Sequence, residues 1–509
     1  MSEKVTQQQI NQVLWEAADT FRGKIDSGTY KDYILTMLFI KYLSDAYKEH
    51  LEEYTERYDG DEQRIKRALS RERFVIDEYS AFDYLYSKRS DAEIGEIINK
   101  ALERLENENT SKLRGVFRNI DFNSEAILGK AKERNAMLRA LLEDFNKLTL
   151  KPSVVGNEDV IGDAYQFMIE RFASDAGKKG GEFYTPTMAS ELLARLVKPK
   201  ENDRIYDPTC GSGSLLIKVA NKVPNKKVAI YGQERNGATH SLALMNMYLH
   251  GIDDAKIEWG DTLANPLHLE DGKLMKFQAI VANPPFSLDK WAMGFAGEGN
   301  TDSKFKMEAS LDPHRRFEWG VPPTSRGDLA FVQHMLYSLA ENGRMATILP
   351  HGVLFRGSSE AKIRKQIIDM NLLDAVIGLP EGLFYGTGIP ACILVMKKDR
   401  KRKDVLFIDA SGEEHYEKGK NQNKLREQDL IKIVNTYENY ETEDKYSYVA
   451  TLEEIKENDY NLNIPRYVDT FEEEEPVDMA QVKENIQNIK QELAEVEEQM
   501  EKYLQELGL

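Results

Sequence analysis

Cysteine is almost missing from this chain. Its 509 residues contain two, Cys210 and Cys392, too few for a disulfide scaffold or a cysteine-rich zinc site. There is no Pro-Cys dipeptide, and the eight histidines form no His-x₃-His pair, so the sequence indicates no metal centre. Long apolar runs are also lacking. The longest, Tyr33 to Leu43, carries Lys41 and is too short to span a bilayer. The N-terminus reads Met-Ser-Glu-Lys and continues polar, unlike a secretory signal. These absences predict a cytoplasmic protein without a membrane segment. Positive charge is scarce as well: 68 Lys and Arg face 86 Asp and Glu, for a net charge of −18 and a pI near 5.2. A self-sufficient reader of nucleic acid is usually basic. An acidic chain meets electrostatic repulsion at phosphate unless its basic groups are clustered or a partner supplies them.

The most informative stretch present is Ala282-Asn283-Pro284-Pro285-Phe286. It follows the apolar run Phe277–Val281, which reads as a buried strand. Two successive prolines lack N–H donors and cannot continue a ladder, so a rigid loop begins at the strand's C-terminal edge. In open α/β sheets ligands bind at that edge. The loop offers the Asn283 side-chain carbonyl, the Pro284 backbone carbonyl and the aromatic face of Phe286. Two acceptors and a stacking plane suit a planar base that bears an exocyclic amine. A plain Pro-Pro turn would explain the same residues, and the context has to separate the two.

That context lies upstream. Arg204-Ile205-Tyr206-Asp207-Pro208-Thr209-Cys210-Gly211-Ser212-Gly213-Ser214 reads as strand, acidic residue, Gly-rich turn and helix start. It has no third glycine for a dinucleotide fingerprint and no Gly-Lys-Ser/Thr for a P-loop. A second strand, Lys227–Gln233, ends in Glu234, about twenty residues past the turn, where nucleotide-type folds place an acid on ribose hydroxyls. A third unit, Ala255–Gly260, ends in Asp261 and Thr262. Three acids and Asn283 thus close four successive strands, and strands alternating with helical patterns predict a parallel sheet with right-handed crossovers. Before the sheet lies Gly180-Gly181-Glu182-Phe183-Tyr184-Thr185-Pro186. Thr185 fits an N-cap and Pro186 the first helical position, which alone describes only a well-capped helix.

These segments resemble motifs of amino-methyltransferases that use S-adenosyl-L-methionine. Asn283-Pro284-Pro285-Phe286 resembles the catalytic Asn-Pro-Pro-(Tyr/Phe) loop, in which the Asn side chain and first Pro carbonyl hold the target amine and the ring stacks on the base. Asp207-Pro208-Thr209-Cys210-Gly211-Ser212-Gly213 with Ser214 resembles the cofactor motif. The resemblance implies that Glu234, Asp261 and Thr262 also line the cofactor, that Asn283 borders it, and that Phe183, Tyr184, Thr185 and Pro186 pack over its methionine end. Cys210 then reads as a small lining residue and no nucleophile. The order of motifs is that of the gamma class. Together with Ile348–Phe355 and Gly378-Leu379-Pro380-Glu381-Gly382-Leu383-Phe384, the set is similar to the modification (methylase) subunit of type I restriction-modification systems. That family implies a Rossmann-like α/β sheet and N6-methylation of a flipped adenine. It also implies partners: a specificity subunit that chooses the target and carries two methylase subunits, a restriction/translocase subunit, and double-stranded DNA. The motif alone would also fit cytosine N4, an RNA or protein-glutamine methyltransferase, or a non-catalytic cofactor-binding scaffold.

Three regions follow along the chain. Residues 1–150 read as a helical domain, with Thr6 an N-cap candidate, Ile10, Val13, Leu14, Ala17 and Phe21 at helical spacing and Gly23 at the stop. It is either an ordinary helical cap or, as the resemblance implies, a DNA- and partner-contacting domain. Residues 155–470 carry the sheet, with further strands at Gly343–Val353, Leu373–Leu379 and Ile389–Met396. Ser287–Thr324 reads as a long polar insertion, expected to order around extruded DNA. Lys178, Lys179, Arg315 and Arg316 are the DNA-contact candidates, whereas the basic run Lys397–Lys403 reads as a solvated hairpin tip. Past Glu472–Pro476, residues 477–509 carry Met479, Val482, Ile486, Ile489, Leu493, Val496, Met500, Tyr503 and Leu507 at spacings of three and four. That is a coiled-coil-type seam, which either packs on its own domain or pairs with the specificity subunit.

Overall fold

The computed structural model describes residues 4–156, 158–177, 181, 184–297, 305–420, 422–470 and 479–507. Thr6 caps the first helix, Gln7–Asp19, through a reciprocal capping box with Gln9. Ile10, Leu14, Ala17 and Phe21 turn one face of it into the core. The second helix, Ser27–Arg57, is buried at almost every position from Tyr30 to Asp45. Lys41 is tolerated there because its ammonium meets Asp45 at 2.8 Å, and Asp45 also accepts the Leu150 N–H at 2.6 Å. A buried charge is kept only when it is paired in this way.

Helix Ser27–Arg57 packs on helix Glu158–Ala176, which packs in turn on helix Gly237–Leu249 beside the sheet. Arg73 and Lys112 both bind the Asp253 carboxylate, and the Tyr248 hydroxyl donates to the Lys112 carbonyl at 2.6 Å. The N-terminal helices and the sheet therefore form one compact unit, Met1–Val468.

The sheet strands are β1 (Arg204–Asp207), β2 (Ala229–Glu234), β3 (Lys256–Trp259), β6 (Phe277–Ala282), β7 (Leu339–Pro350), β8 (Leu373–Gly378), β9 (Ala391–Lys397), β10 (Val405–Asp409) and β11 (Ser447–Ala450). The short strands β4 (Leu269–Glu270) and β5 (Lys273–Leu274) pair as a separate hairpin. The order is β11-β10-β8-β9-β7-β6-β1-β2-β3. From β3 to β7 all neighbours are parallel, as the sequence predicts. The expectation fails at β9, which runs antiparallel to both β7 and β8. No helix separates β8 from β9, and a parallel return would need such a crossover. Side chains alternate across the sheet: Ala279 and Val281 join one core, and Ile280 and Ala282 the other. Helices Thr187–Val197, Ser214–Ala220 and Gly237–Leu249 cover the first face, and Asp328–Ser338 and Ser358–Asp369 the second. Strands buried on both faces explain the near-continuous apolar runs.

Two sequence expectations are corrected here. The insertion after the Asn-Pro-Pro loop is no open polar loop: Trp291, Phe317 and Arg316 are buried against the second core. Residues 298–304 within it lie outside the described residues. The basic run after β9 is no hairpin tip, because β8 lies between β9 and β10 and the chain crosses its end.

Asp469–Leu509 forms a second unit whose element is the helix Met479–Glu506. Ile486, Ile489, Leu493, Val496, Met500, Tyr503 and Leu507 all expose large apolar surface.

Candidate active site

Four parallel strands bring their C-terminal ends to one edge in the order β6, β1, β2, β3. Chain order runs from β1 outward to β3 and then returns to β6 on the other side of β1. This reversal falls between β1 and β6, the switch point where α/β sheets take ligands. Asp207 closes β1, Glu234 closes β2, Asp261 lies two residues past β3, and Asn283 follows β6.

After Asp207 the chain turns through Gly211 and Gly213, at φ +54° and +76°. This is left-handed backbone that strains other residues. A Cβ on Gly213 would also stand 2.7 Å from the Met247 methyl. Ser214 begins the helix Ser214–Ala220. Its hydroxyl and that of Ser212 share a hydrogen bond of 3.0 Å, and Asn246 donates to the Ser212 carbonyl at 2.9 Å. The Asp207 carboxylate accepts the Thr209 N–H at 2.9 Å. Burial pushes its carboxyl up to about 7, and the neighbouring Glu234 charge adds to the rise against the Thr209 bond. Glu234 accepts the N–H groups of Gly211 at 3.0 Å and Asn236 at 2.7 Å. Burial raises it too, despite those two donors. Cys210 is buried, and burial holds its thiol well above the usual range, which agrees with a lining role and against a nucleophile.

Asp261 accepts the N–H groups of Leu263 and Ala264 at 3.0 and 3.1 Å, which shapes the turn. The Thr262 hydroxyl donates to the Pro208 carbonyl at 2.6 Å, tying this turn to the Gly-rich one.

Asn283 donates its Nδ2–H to the Thr185 hydroxyl at 3.1 Å. Its Oδ1 is buried and has no hydrogen-bond partner. Buried polar atoms are rarely left so. Pro284 is buried, Pro285 exposed and Phe286 half-buried. The Phe286 ring meets the edge of Phe384 at 5.8 Å, so the Gly378–Phe384 segment supports the loop. Tyr184 is buried, with its hydroxyl 2.7 Å from that of Thr187 and its ring beside Tyr385.

The helix after this segment begins at Thr187, with Pro186 at the cap and no side-chain cap bond. Thr185 is therefore not an N-cap; its hydroxyl is taken by Asn283. Phe183, Lys178 and Lys179 lie outside the described residues. Arg315 is exposed and pairs with Glu318 at 2.5 Å.

Arg316 is overturned as a DNA contact, being wholly buried. Its guanidinium binds Asp312 at 2.8 Å and donates to the carbonyls of Thr262 and Leu263 at 3.2 and 2.5 Å. It also donates to His334 Nδ1 at 3.1 Å. Burial first, and then the Arg316 charge, keep His334 well below its usual range and so neutral. Arginine can only donate, so the proton sits on Nε2 and is given to the Tyr206 oxygen at 2.9 Å. Sequence reasoning missed this brace, because nothing in a basic dipeptide marks which arginine is interior. Its one visible sign was Asp312 four residues earlier.

Residues 156–476 match the family described as N-6 DNA Methylase, and residues 10–145 the HsdM N-terminal domain. The chain is 34% identical over 544 residues to the type I restriction enzyme MpnII methylase subunit of Mycoplasma pneumoniae, covering 96% of this chain and 95% of that protein. It is 34% identical over 522 residues to the MjaVIII methylase subunit of Methanocaldococcus jannaschii, covering 99% and 86%. The crystal structure of a type I restriction-modification system methyltransferase subunit from Streptococcus thermophilus superposes with a TM-score of 0.77 at 35% identity, covering 92% of this chain and all of that one.

Proposed function

This chain belongs to the N-6 DNA methylase family, as the methylase subunit of a type I restriction-modification system, and on that premise we propose how its residues methylate adenine N6 in DNA. The observation that carries the reading is Asn283. Its Oδ1 is buried without a partner while Thr185 holds the other end of the amide, the state expected of an acceptor built for a missing amine. A target adenine must leave the duplex to reach it. Asn283 Oδ1 and the Pro284 carbonyl accept its two N–H groups and direct the nitrogen lone pair toward the methyl donor. Phe286 stacks on the base and offsets roughly 1–3 kcal/mol of lost stacking. Pro285 stiffens the loop, and holding acceptor and donor in line supplies much of the rate.

S-adenosyl-L-methionine supplies the methyl group on a cationic sulfonium when bound. The residues present fit it. Asp207 and Glu234 are carboxyls whose ionised forms burial disfavours, and a cationic ligand with hydroxyl donors relieves both. Glu234 holds ribose hydroxyls, Asp261 and Thr262 border the adenine, and the 209–214 turn gives backbone room. Tyr184, Thr185 and Pro186 cover the methionine end.

No described helix is long and apolar enough to cross a membrane, and we place the subunit in the cytoplasm with its DNA. The partners in this reading are a specificity subunit carrying two copies of this chain, a restriction/translocase subunit and double-stranded DNA. Residues 1–150 serve DNA and partner contacts, 155–470 catalysis, and 477–509 assembly, where the exposed seam is covered by the specificity subunit. The test is labelled methyl transfer to unmodified plasmid DNA with and without that partner. Label in N6-methyladenine that depends on the partner is expected. Label in N4-methylcytosine, in RNA or in protein glutamine would overturn the reading.

A further inference from the structure

A second cleft lies at the opposite edge of the sheet from Asn283, with a volume of about 380 Å³, within the range of small-ligand sites. Lys198, at the far end of the helix Thr187–Val197, lines it with Arg344 on β7, Lys397 at the end of β9, and Arg400, Lys401 and Arg402 in the following loop. Against these six cations stand three carboxylates, Asp374, Asp399 and Glu438. The recess is therefore cationic in a chain whose net charge is −18.

The internal pairing leaves part of that charge uncompensated. Asp374 takes Lys397 at 2.5 Å, Arg400 at 2.9 Å and the Tyr437 hydroxyl at 2.6 Å. Glu438 takes Lys198 at 2.5 Å. Among the described residues, Arg344, Lys401 and Arg402 have no carboxylate partner; Arg402 lies over the Tyr440 ring at 4.5 Å. Arg344 and Lys397 are also direct cross-strand partners on β7 and β9. Like charges placed opposite each other destabilise a sheet. Burial, then the Arg344 and Arg400 charges, hold Lys397 below the usual lysine range against the pull of Asp374. Asp374 offsets Lys397 and Arg400, and the charges of Arg344, Lys401 and Arg402 remain for an anion in the recess to share.

We propose that this cleft is a binding site for a compact multivalent phosphate anion, separate from the methyl-transfer site, with Arg344 and Arg402 as its direct ligands and Lys401 at its mouth. Arginine forks match phosphate oxygens two at a time. The room exceeds a single phosphate and suits a diphosphate or a phosphorylated small molecule. Because the site sits at the other edge of the sheet, occupying it leaves the Asn283 site open.

The experiment titrates the full-length chain with pyrophosphate by calorimetry, with inorganic phosphate and a short non-target duplex as separate arms. Arg344→Gln and Arg402→Gln are measured beside the wild type. Saturable pyrophosphate binding is expected, weaker for inorganic phosphate, and reduced about tenfold or more by either substitution. Binding of S-adenosyl-L-methionine should stay at the wild-type level in both variants, and thermal melts in phosphate-free buffer serve as the folding control. Arg344→Gln should melt at or above the wild type there, since it removes the repulsion with Lys397. No binding at millimolar pyrophosphate, or binding that both variants retain, would overturn the proposal. So would duplex binding sensitive to both substitutions while pyrophosphate fails to bind, which would make the cleft a contact for the DNA backbone.

Discussion

Asp207→Asn removes the carboxyl that burial has pushed from 3.8 to about 7, and it should make the ligand-free chain relatively more stable as the pH rises. A carboxyl raised in the folded state holds its proton more tightly there than in the unfolded chain. Its contribution is full below pH 3.8 and is lost as the pH climbs through about 7. Each tenfold change in acidity corresponds to 1.36 kcal/mol, so the ionised form costs on the order of 4 kcal/mol in the ligand-free protein. The side chain is only 2% exposed, so solvent screens little of this cost. Other carboxylates that pair in the folded state act in the opposite sense, and the comparison must therefore be between variant and wild type at each pH. Denaturant unfolding at pH 5.5, 6.5, 7.5 and 8.5 supplies it. The gap in favour of Asp207→Asn should widen from pH 5.5 to 7.5 and then level off. In parallel, affinity of the wild type for S-adenosyl-L-methionine should rise over the same window, as the ionised carboxylate becomes available to a cationic ligand, and the variant should lose that rise. A gap that stays constant with pH, or that moves in favour of the wild type, would refute the burial argument.

Glu234→Ala should weaken S-adenosyl-L-methionine binding by about 1–3 kcal/mol through lost charge-assisted hydrogen bonds, and unchanged affinity by calorimetry would mean another residue holds the ribose. Arg316→Gln should destabilise the fold by about 3–5 kcal/mol, because Asp312 would be left as a buried unpaired charge; a melt within experimental error of the wild type would show that the brace is dispensable. Deleting 477–509 should leave residues 1–468 folded and cofactor-competent, since they form a compact unit of their own, yet abolish co-purification with the specificity subunit. The seam's exposed apolar surface is worth about 25 cal/mol per Å² to whatever covers it, and normal assembly of the truncated chain would assign it another role.

Local chemistry made much of this site readable in advance. Asn283, Asp207, Glu234 and Asp261 stand at strand ends because prolines, glycines and acids interrupt apolar runs there, and such interruptions are visible without coordinates. Thr6 was legible for the same reason, since a capping box is written within four residues. What escaped depends on contacts distant in sequence. Thr185 matches an N-cap by type, yet its hydroxyl is held by Asn283, and nothing between them announces the bond. Phe384 supports Phe286 across the sheet edge, a pairing only the fold creates. Arg316 and Arg315 are neighbours with opposite fates, one interior and one in water, because the turn at Arg315 (φ +57°) sends them apart. The reversal at β9 followed from a missing crossover helix, a signal that was present but needed strand neighbours to interpret.

The central claim is that Asn283 grips the adenine amine and takes no essential part in holding the cofactor. Labelled methyl transfer by Asn283→Ala, assembled with its specificity subunit on unmodified target duplex, tests it most directly when paired with calorimetry of S-adenosyl-L-methionine on the same sample. The account predicts transfer lost to background, with cofactor affinity nearly intact. Transfer near the wild-type rate would contradict it.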